Sequence, residues 1–413
     1  MMKLRALRPL LAALCLAAVC GQVRARAEPI RIGLLTVKNG PLAAPGKQLE
    51  DGFNFLLKER GGMLAGRKIE VVSVDTSGQP AQARSKTQEL IERHKVKLIV
   101  GPLASTEALA IDDTVRDAQI PLISPSALAE DMTQRKRNPW VVRATATTGQ
   151  FSHPLGEYAA KTLGYRRAVT IASDFAYGHE AVAGFQRVFE ESGGKVVRKL
   201  WVPVAAVDFG GFITQIRDAD VVFASFSGAS AQSFLRQYNE YGLKGLIPVL
   251  TPMSMVDESL LAGMGSDAAG VISAGFYSAA LETPAGRQFA AAYTKAHGVA
   301  PGFYSTGAYV AGLFVEEALR AVKGNIEDKP AFMKALRSVR LKDSPRGELW
   351  LDEYGNPVGS IYIRRTEAKN GQMQNTVIKT YPQQSQFWTY GAEKFLAQPV
   401  YSRDYPPARY LEN

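Results

Sequence analysis

Between Leu98 and Leu128 the chain reads LIVGPLASTEALAIDDTVRDAQIPLISPSAL, which restricts the fold more than any other stretch. Leu98-Ile99-Val100 is a short apolar strand that Gly101-Pro102 stops. Ala104-Ser105-Thr106 then opens a helix with Leu109 and Val115 turned inward, and Ile120 to Ser124 is a second strand that Pro125 ends. Strand, helix, strand in so few residues is a βαβ unit, so the two strands are parallel and their carboxyl ends share one sheet edge. Ligands of open α/β sheets bind at that edge. Ser105 and Thr106 lie where a helix N-terminus leaves backbone N–H groups unpaired, which suits an anion such as a carboxylate. A plain helix cap is the alternative role for Ser105.

The same alternation runs through most of the chain. Pro29 to Val37 is a strand, Lys47 to Arg60 a helix with Leu49, Phe53, Leu56 and Leu57 on one face, Lys68 to Asp75 a strand and Ala81 to Arg93 a helix. After Trp140 to Arg143 the pattern restarts with helix Phe151 to Leu163. Strands follow at Ala168 to Ala172, Lys195 to Val202, Val221 to Ser225 and Ile247 to Thr251, with helices at Gly178 to Ser192, Asp208 to Ile216 and Ala229 to Tyr241 between them. One twisted sheet seldom holds more than about ten strands, so two sheets are expected. Ile120-Pro-Leu-Ile-Ser-Pro125 is echoed by Ile247-Pro-Val-Leu-Thr-Pro252, each after a strand, a small-residue loop and a helix. The fold class is therefore α/β, with two doubly wound lobes whose strand ends face across a cleft. Strand Gly270 to Phe276, helices Pro284 to His297, Phe303 to Val322 and Lys329 to Ser338, a hairpin about Asp352 to Asn356 and strand Met373 to Thr380 complete it. Pro382 to Asn413 is expected to wrap the surface.

Residues 1–27 read differently. Lys3, Arg5 and Arg8 precede an apolar run from Leu10 to Val19, and Ala25-Arg26-Ala27 fits a small-x-small cleavage site, so this is a secretory signal peptide. Lipidation at Cys20 is disfavoured because Val19 stands where a small residue is usual. The segment holds five basic residues and no acidic one, so cleavage after about Ala27 leaves +5 of the net +10. No long basic tract remains to hold nucleic acid. Both cysteines, Cys15 and Cys20, leave with it, which removes disulfides, thiol nucleophiles and cysteine metal sites.

Catalytic signatures are missing. Gly40 to Lys47 (GPLAAPGK) has five residues between its glycines where a phosphate-binding loop has four, and Gln48 follows the lysine. His94, His153, His179 and His297 form no i, i+4 pair for zinc, and no Gly-x-Ser-x-Gly elbow occurs. An enzyme, a cofactor and a metal are not expected. What remains is a polar and aromatic cleft: Ser105, Thr106 and Ser126 from the first lobe, with Tyr177, Phe226, Ser227, Met253 and Phe276 at the strand ends and crossover of the second. Tyr177 and Phe226 could equally be core residues.

These features together resemble the periplasmic solute-binding proteins of branched-chain amino-acid-type ABC importers. The match rests on the signal peptide, IGLLTVKNGPLAAPGKQLEDGFNFLL, LIVGPLASTEAL, IPLISPSA, SDFAYG, FLRQYNEYG and LDEYGNPVG, in that order along nearly the whole chain. The resemblance implies a type I periplasmic-binding-protein-like fold that closes about three crossovers, near Ala146, Phe276 and Ser360. Residues 28–146 and 277–359 would form one lobe, and 147–276 with 360–413 the other. In amino-acid-binding members of the family, loops matching Leu103 to Ser105 and Ser126-Ala127-Leu128 hold the ligand carboxylate and ammonium, a tyrosine matching Tyr177 covers it, and an acid at the position of Met253 pairs with the ammonium. This chain departs from that pattern. Met253 is uncharged, the hydroxyl near Leu128 is gone, Ser227 replaces a larger side chain, and Gly78 and Ala104 stand where a disulfide is frequent. An ammonium buried opposite methionine would be unpaired, at a cost of several kcal/mol on general grounds. The expected ligand is thus a carboxylate without an α-amino group, an aromatic acid such as benzoate or a hydroxycinnamate. A branched-chain or other amino acid, an amide of urea type, and a sensor role are the alternatives. The implied partners are ABC permease subunits in the inner membrane, and the protein is expected to be a periplasmic monomer.

Overall fold

The computed structural model describes residues 28–412, so the signal-peptide reading of residues 1–27 lies outside the described residues. The first sheet holds β1 (Ile30–Thr36), β2 (Met63–Leu64), β3 (Arg67–Asp75), β4 (Leu98–Val100), β5 (Leu122–Ser124) and β6 (Val141–Arg143), in the order β2-β3-β1-β4-β5-β6. All neighbours are parallel except β2 and β3. Helices α1 (Ala43–Glu59), α2 (Pro80–Glu92) and α3 (Ser105–Asp117) supply the crossovers.

The second sheet begins after α4 (Thr148–Glu157), which ends in a π-helical turn, Tyr158–Thr162. It contains β7 (Arg167–Ser173), α5 (Ala176–Glu191), β8 (Lys195–Val202), a short α6 (Gly210–Ile213), β9 (Val221–Ser225), α7 (Gly228–Glu240), β10 (Val249–Pro252), a short α8 (Leu261–Met264) and β11 (Ile272–Gly275). The chain then returns to the first lobe through α9 (Pro284–His297), α10 (Phe303–Ala321) and α11 (Lys329–Arg337). Helix α10 packs closely on α1, where a Cβ at Gly52 would run into the Ser305 carbonyl and one at Gly312 into Leu56. Strands β12 (Arg340–Ser344) and β13 (Gly347–Leu351) feed β14 (Pro357–Lys369), which carries the chain back to pair antiparallel with β11 and with β15 (Gln372–Gln384).

Both faces of each sheet are buried. On β1 and β4, Leu34, Leu98 and Val100 enter one apolar cluster while Leu35 and Ile99 enter another. On β7, Ala168 and Ala172 split in the same way from Val169 and Ile171. Alternate side chains of a strand point to opposite faces, so each sheet is covered by helices on both sides. Two expectations need correction. Leu109 is 45% exposed, because the face α3 buries is Ala108, Ile111 and Val115, and Leu109 sits about a third of a turn off its centre. Strand β12 was not foreseen, since Arg-Leu-Lys-Asp-Ser has one apolar residue and forms by pairing with β13. The C-terminal segment does more than coat the surface: Phe387, Phe395 and Tyr401 bury against Ala183, and a short α12 (Ala392–Leu396) forms within it.

The sheets are joined where buried charges cluster. Arg364 on β14 is fully buried and donates to Glu258 Oε1 at 2.9 Å, to the Tyr277 carbonyl at 2.9 Å and to Ser273 Oγ at 3.1 Å. It ties β14 to the chain leaving β11. At the seam, the Glu130 amide donates to the Glu180 carboxylate, whose Oε2 also accepts from Thr148 Oγ1 at 3.1 Å, and Arg143 is fully buried close by. One arginine faces two carboxylates. Burial, opposed by Arg143, pushes Glu130 up to about 7 and Glu180 well above the ordinary range.

Replacing Arg364 with Met should strand the buried Glu258 charge and cost about 3–5 kcal/mol in chemical denaturation, most of it recovered by adding Glu258→Met. A carboxylate whose folded pKa is raised stabilises the fold below its unfolded value and loses that contribution as pH rises through the folded value. Glu130 therefore costs stability progressively between about 4.5 and 7. The stability of Glu130→Gln relative to the natural chain should grow in the variant's favour from about pH 5 to pH 8, and an unchanged difference would contradict the assignment.

Candidate functional site

The two parallel sheets turn their carboxyl edges toward one gap. Loops after β1, β4 and β5 bring Leu42, Leu103, Ala104, Ser105, Ser126 and Leu128. Loops after β7, β9 and β10 bring Phe175, Tyr177, Ser227 and Ser254, and the start of α10 adds Phe303 and Tyr304. They enclose a cleft of about 420 Å³, its open mouth included. Strand ends on both sides, with a topological switch in each sheet, make this the expected ligand position for such a fold.

The polar groups of the cleft are hydroxyls. Ser105 Oγ accepts the Leu128 amide at 3.2 Å, which leaves its own O–H proton uncommitted. Ser126 Oγ donates to the Leu103 carbonyl at 2.9 Å and keeps its lone pairs for a donor. Across the gap Tyr177 Oη and Ser254 Oγ share a bond of 2.7 Å. Burial raises the pKa of Tyr177 and Tyr304, so both phenols stay protonated over the physiological range.

Helix geometry gives the cleft its sign. Ser105 is the first residue of α3, Tyr177 lies in the first turn of α5, and Ser227 precedes α7. Three helix N-termini therefore converge, each carrying partial positive charge and unpaired N–H groups. In α3 the Ala104 amide is already taken by Glu107 Oε2 at 2.8 Å, and Thr76 also donates to Glu107, so this carboxylate braces the loop. Ser227 makes no side-chain cap, and its hydroxyl lies against the Tyr304 phenol in the cleft. Among the described residues no Asp, Glu, Lys, Arg or His lines the cleft.

Of the residues singled out from sequence, Leu103, Ser105, Ser126, Leu128, Tyr177 and Ser227 come together here. The others lie elsewhere. Thr106 is half-buried one residue into α3, outside the lining, and Ala127 is buried in the cluster on the other face of the first sheet. Phe226 stacks among Phe209 and Phe234 in the second lobe's core, since residues 226 and 227 point to opposite sides of an extended chain. Met253 is fully buried and fills the space over Gly275, where a Cβ would meet its side chain. Phe276 lies in the crossover, between Phe151 and Phe303. Leu42, Ala104, Phe175, Ser254, Phe303 and Tyr304 were not foreseen as lining. Phe175 and Ser254 are neighbours in sequence of residues that were named, whereas Phe303 and Tyr304 come from a helix start that no local pattern marks as ligand-facing.

Two doubly wound lobes with strand ends around a cleft define a two-lobed small-molecule binding protein. A family model described as periplasmic binding protein matches residues 29–372. Leu/Ile/Val-binding protein homolog 6 of Brucella melitensis biotype 1 is 29% identical over 369 residues, which cover 87% of this chain and 93% of the relative. An ABC transporter substrate-binding protein from Sphaerobacter thermophilus is 36% identical, with a TM-score of 0.82 over 87% of this chain and 99% of that one. A solute-binding protein of an ABC transporter from Rhodopseudomonas palustris BisB5, in complex with 3,4-dihydroxy benzoic acid, is 33% identical with a TM-score of 0.83, covering 87% and 98%. The chain belongs to the periplasmic binding protein family, as a substrate-binding protein of the ABC-transporter type.

Ser105→Ala should leave the buried Leu128 amide unpaired and lower folding stability by about 1–3 kcal/mol. Denaturant titration of the ligand-free protein measures this, and an unchanged midpoint would mean that the bond carries no weight.

Proposed function

We propose that the protein captures a small aromatic carboxylate in the cleft and delivers it to an ABC permease in the inner membrane. Residues 28–146 with 277–359 would act as one jaw and 147–276 with 360–413 as the other, after export and removal of the signal peptide. The observation that carries this reading is the lining itself: hydroxyls and helix N-termini at the polar end, Leu42, Leu103, Leu128, Phe175 and Phe303 around them, and no acidic side chain.

A carboxylate meets the Ser105 hydroxyl and the positive end of α3 without needing a full countercharge. An α-ammonium would meet only neutral oxygens, and burying it unpaired costs several kcal/mol. The aromatic walls supply ring contact and apolar burial at about 25 cal/mol per Å². The Tyr177 hydroxyl across the gap and the Tyr304 hydroxyl beside it can each accept from or donate to a ring hydroxyl. Support also comes from the Rhodopseudomonas palustris proteins, whose structures contain 3,4-dihydroxy benzoic acid in one case and benzoate in another, the latter at 28% identity. The competing ligand class is the branched-chain amino acids named for the Brucella relatives.

A thermal-shift panel separates the two. Benzoate and hydroxybenzoates should raise the melting midpoint, by RT ln(1 + [L]/Kd), or about 2.7 kcal/mol of stabilisation at a hundredfold excess over Kd. Leucine, isoleucine and valine should leave it unchanged. The reverse pattern would overturn the proposal.

A further inference from the structure

Among the described residues three arginines are almost wholly buried, and one of them has no acidic partner there. Arg364 pairs with Glu258 at 2.9 Å, and Arg143 lies beside Glu130 and Glu180. Arg346 stands in the turn between β12 and β13, 4% exposed, and makes no ion pair among the described residues. Its guanidinium donates to the carbonyls of Ala144 and, at 3.2 Å, Thr145, and stacks 3.8 Å over the Phe276 ring. Its Nε–H finds no acceptor. Its own carbonyl accepts the Tyr362 hydroxyl at 2.9 Å.

Those partners come from all three passes between the sheets: Ala144 and Thr145 after β6, Phe276 after β11, and Tyr362 on β14. The cation is thus held at the hinge. Burial without a countercharge lowers its pKa to about 9, which leaves it charged at neutral pH. Such a group is costly, and an anion nearby would repay the cost. The route to the cleft is short. Phe276 packs against Phe303, a cleft wall, with ring centroids 5.3 Å apart, so the guanidinium is no more than about 9 Å from the Phe303 ring centroid. Aromatic rings rather than water fill that interval, so salt screens the field little.

We infer that Arg346 is a charge-selecting residue of the binding cleft, acting through the Phe276–Phe303 pair to favour anionic over neutral ligands and to draw compensation for its own buried charge from the ligand. This rests on the proposed capture of a carboxylate and names the residue that sets its sign preference. For a carboxylate bound roughly 10–15 Å from the cation, an effective dielectric of about 20 corresponds to a preference of about five- to fifteenfold. A residue that only clamps the hinge would affect charged and neutral ligands alike.

Titration calorimetry with benzoate and with uncharged benzamide tests it. The natural protein should favour benzoate. Arg346→Met should cut the benzoate-to-benzamide affinity ratio by about tenfold, whatever loss of hinge packing does to the two affinities together. Arg346→Lys should keep the ratio even if hinge packing lowers both affinities. Arg346→Gln, which retains a donor for the Ala144 carbonyl, gives a second uncharged variant should the methionine one not fold. An unchanged ratio in a folded uncharged variant would overturn this inference and leave the reading of the cleft intact. No binding of either compound to the natural protein would overturn both.

Discussion

Two sheets can share one ligand only while their carboxyl edges stay opposed. In this chain that opposition depends on three backbone passes clamped by buried arginines. Arg364 joins β14 to the segment leaving β11, and Arg346 reaches the remaining pass through Ala144 and Thr145. Guanidinium groups suit this work because a planar fork of donors can satisfy several carbonyls at once. Their burial is expensive, and the two solve the problem differently: Arg364 brings its own carboxylate, whereas Arg346 does not. The hinge is therefore an electrostatic element as well as a mechanical one.

The cleft depends on partial charges, with no ionised side chain on its surface among the described residues. Parallel strands followed by helices bring the positive ends of α3, α5 and α7 to the same gap, where serine and tyrosine hydroxyls give direction to what the dipoles attract. Glu107 braces the α3 end from behind without entering the cleft. On the proposed reading such a site discriminates by what it fails to offer: donors for a carboxylate, and among the described residues no acid to neutralise an ammonium.

Much of the architecture was legible because its signals are local. Apolar runs broken by Gly and Pro, helical spacing of Leu and Phe, and the echo of Ile120–Pro125 in Ile247–Pro252 place most strands and helices within a few residues of where they lie. The errors have local causes too. Leu109 was placed inward on hydrophobicity alone, although the buried face of α3 is set by small Ala108 with Ile111 and Val115. Six of the eleven residues named for the cleft reach it, because a strand end identifies a loop but does not decide which of two adjacent side chains faces the gap. Ser227 faces it and Phe226 does not; Ser254 faces it and Met253 does not.

The sequence alone determined the class of fold, the duplication into two lobes and the loops that carry the site, since periodicity and chain breaks act over a few residues. Only the tertiary structure decided that Phe303 and Tyr304 close the cleft, that the C-terminal aromatics form a small core of their own, and that Arg346 sits at the hinge with no acidic partner among the described residues. Those facts depend on how separate segments of the chain pack together, as where Arg346 meets Ala144 and the C-terminal aromatics meet Ala183, which no local pattern encodes. The Leu98–Leu128 unit holds both kinds of information. Its order of strand, loop and helix was written in its residues, while the task of Ser105 came from Leu128 behind it and Tyr177 across the gap.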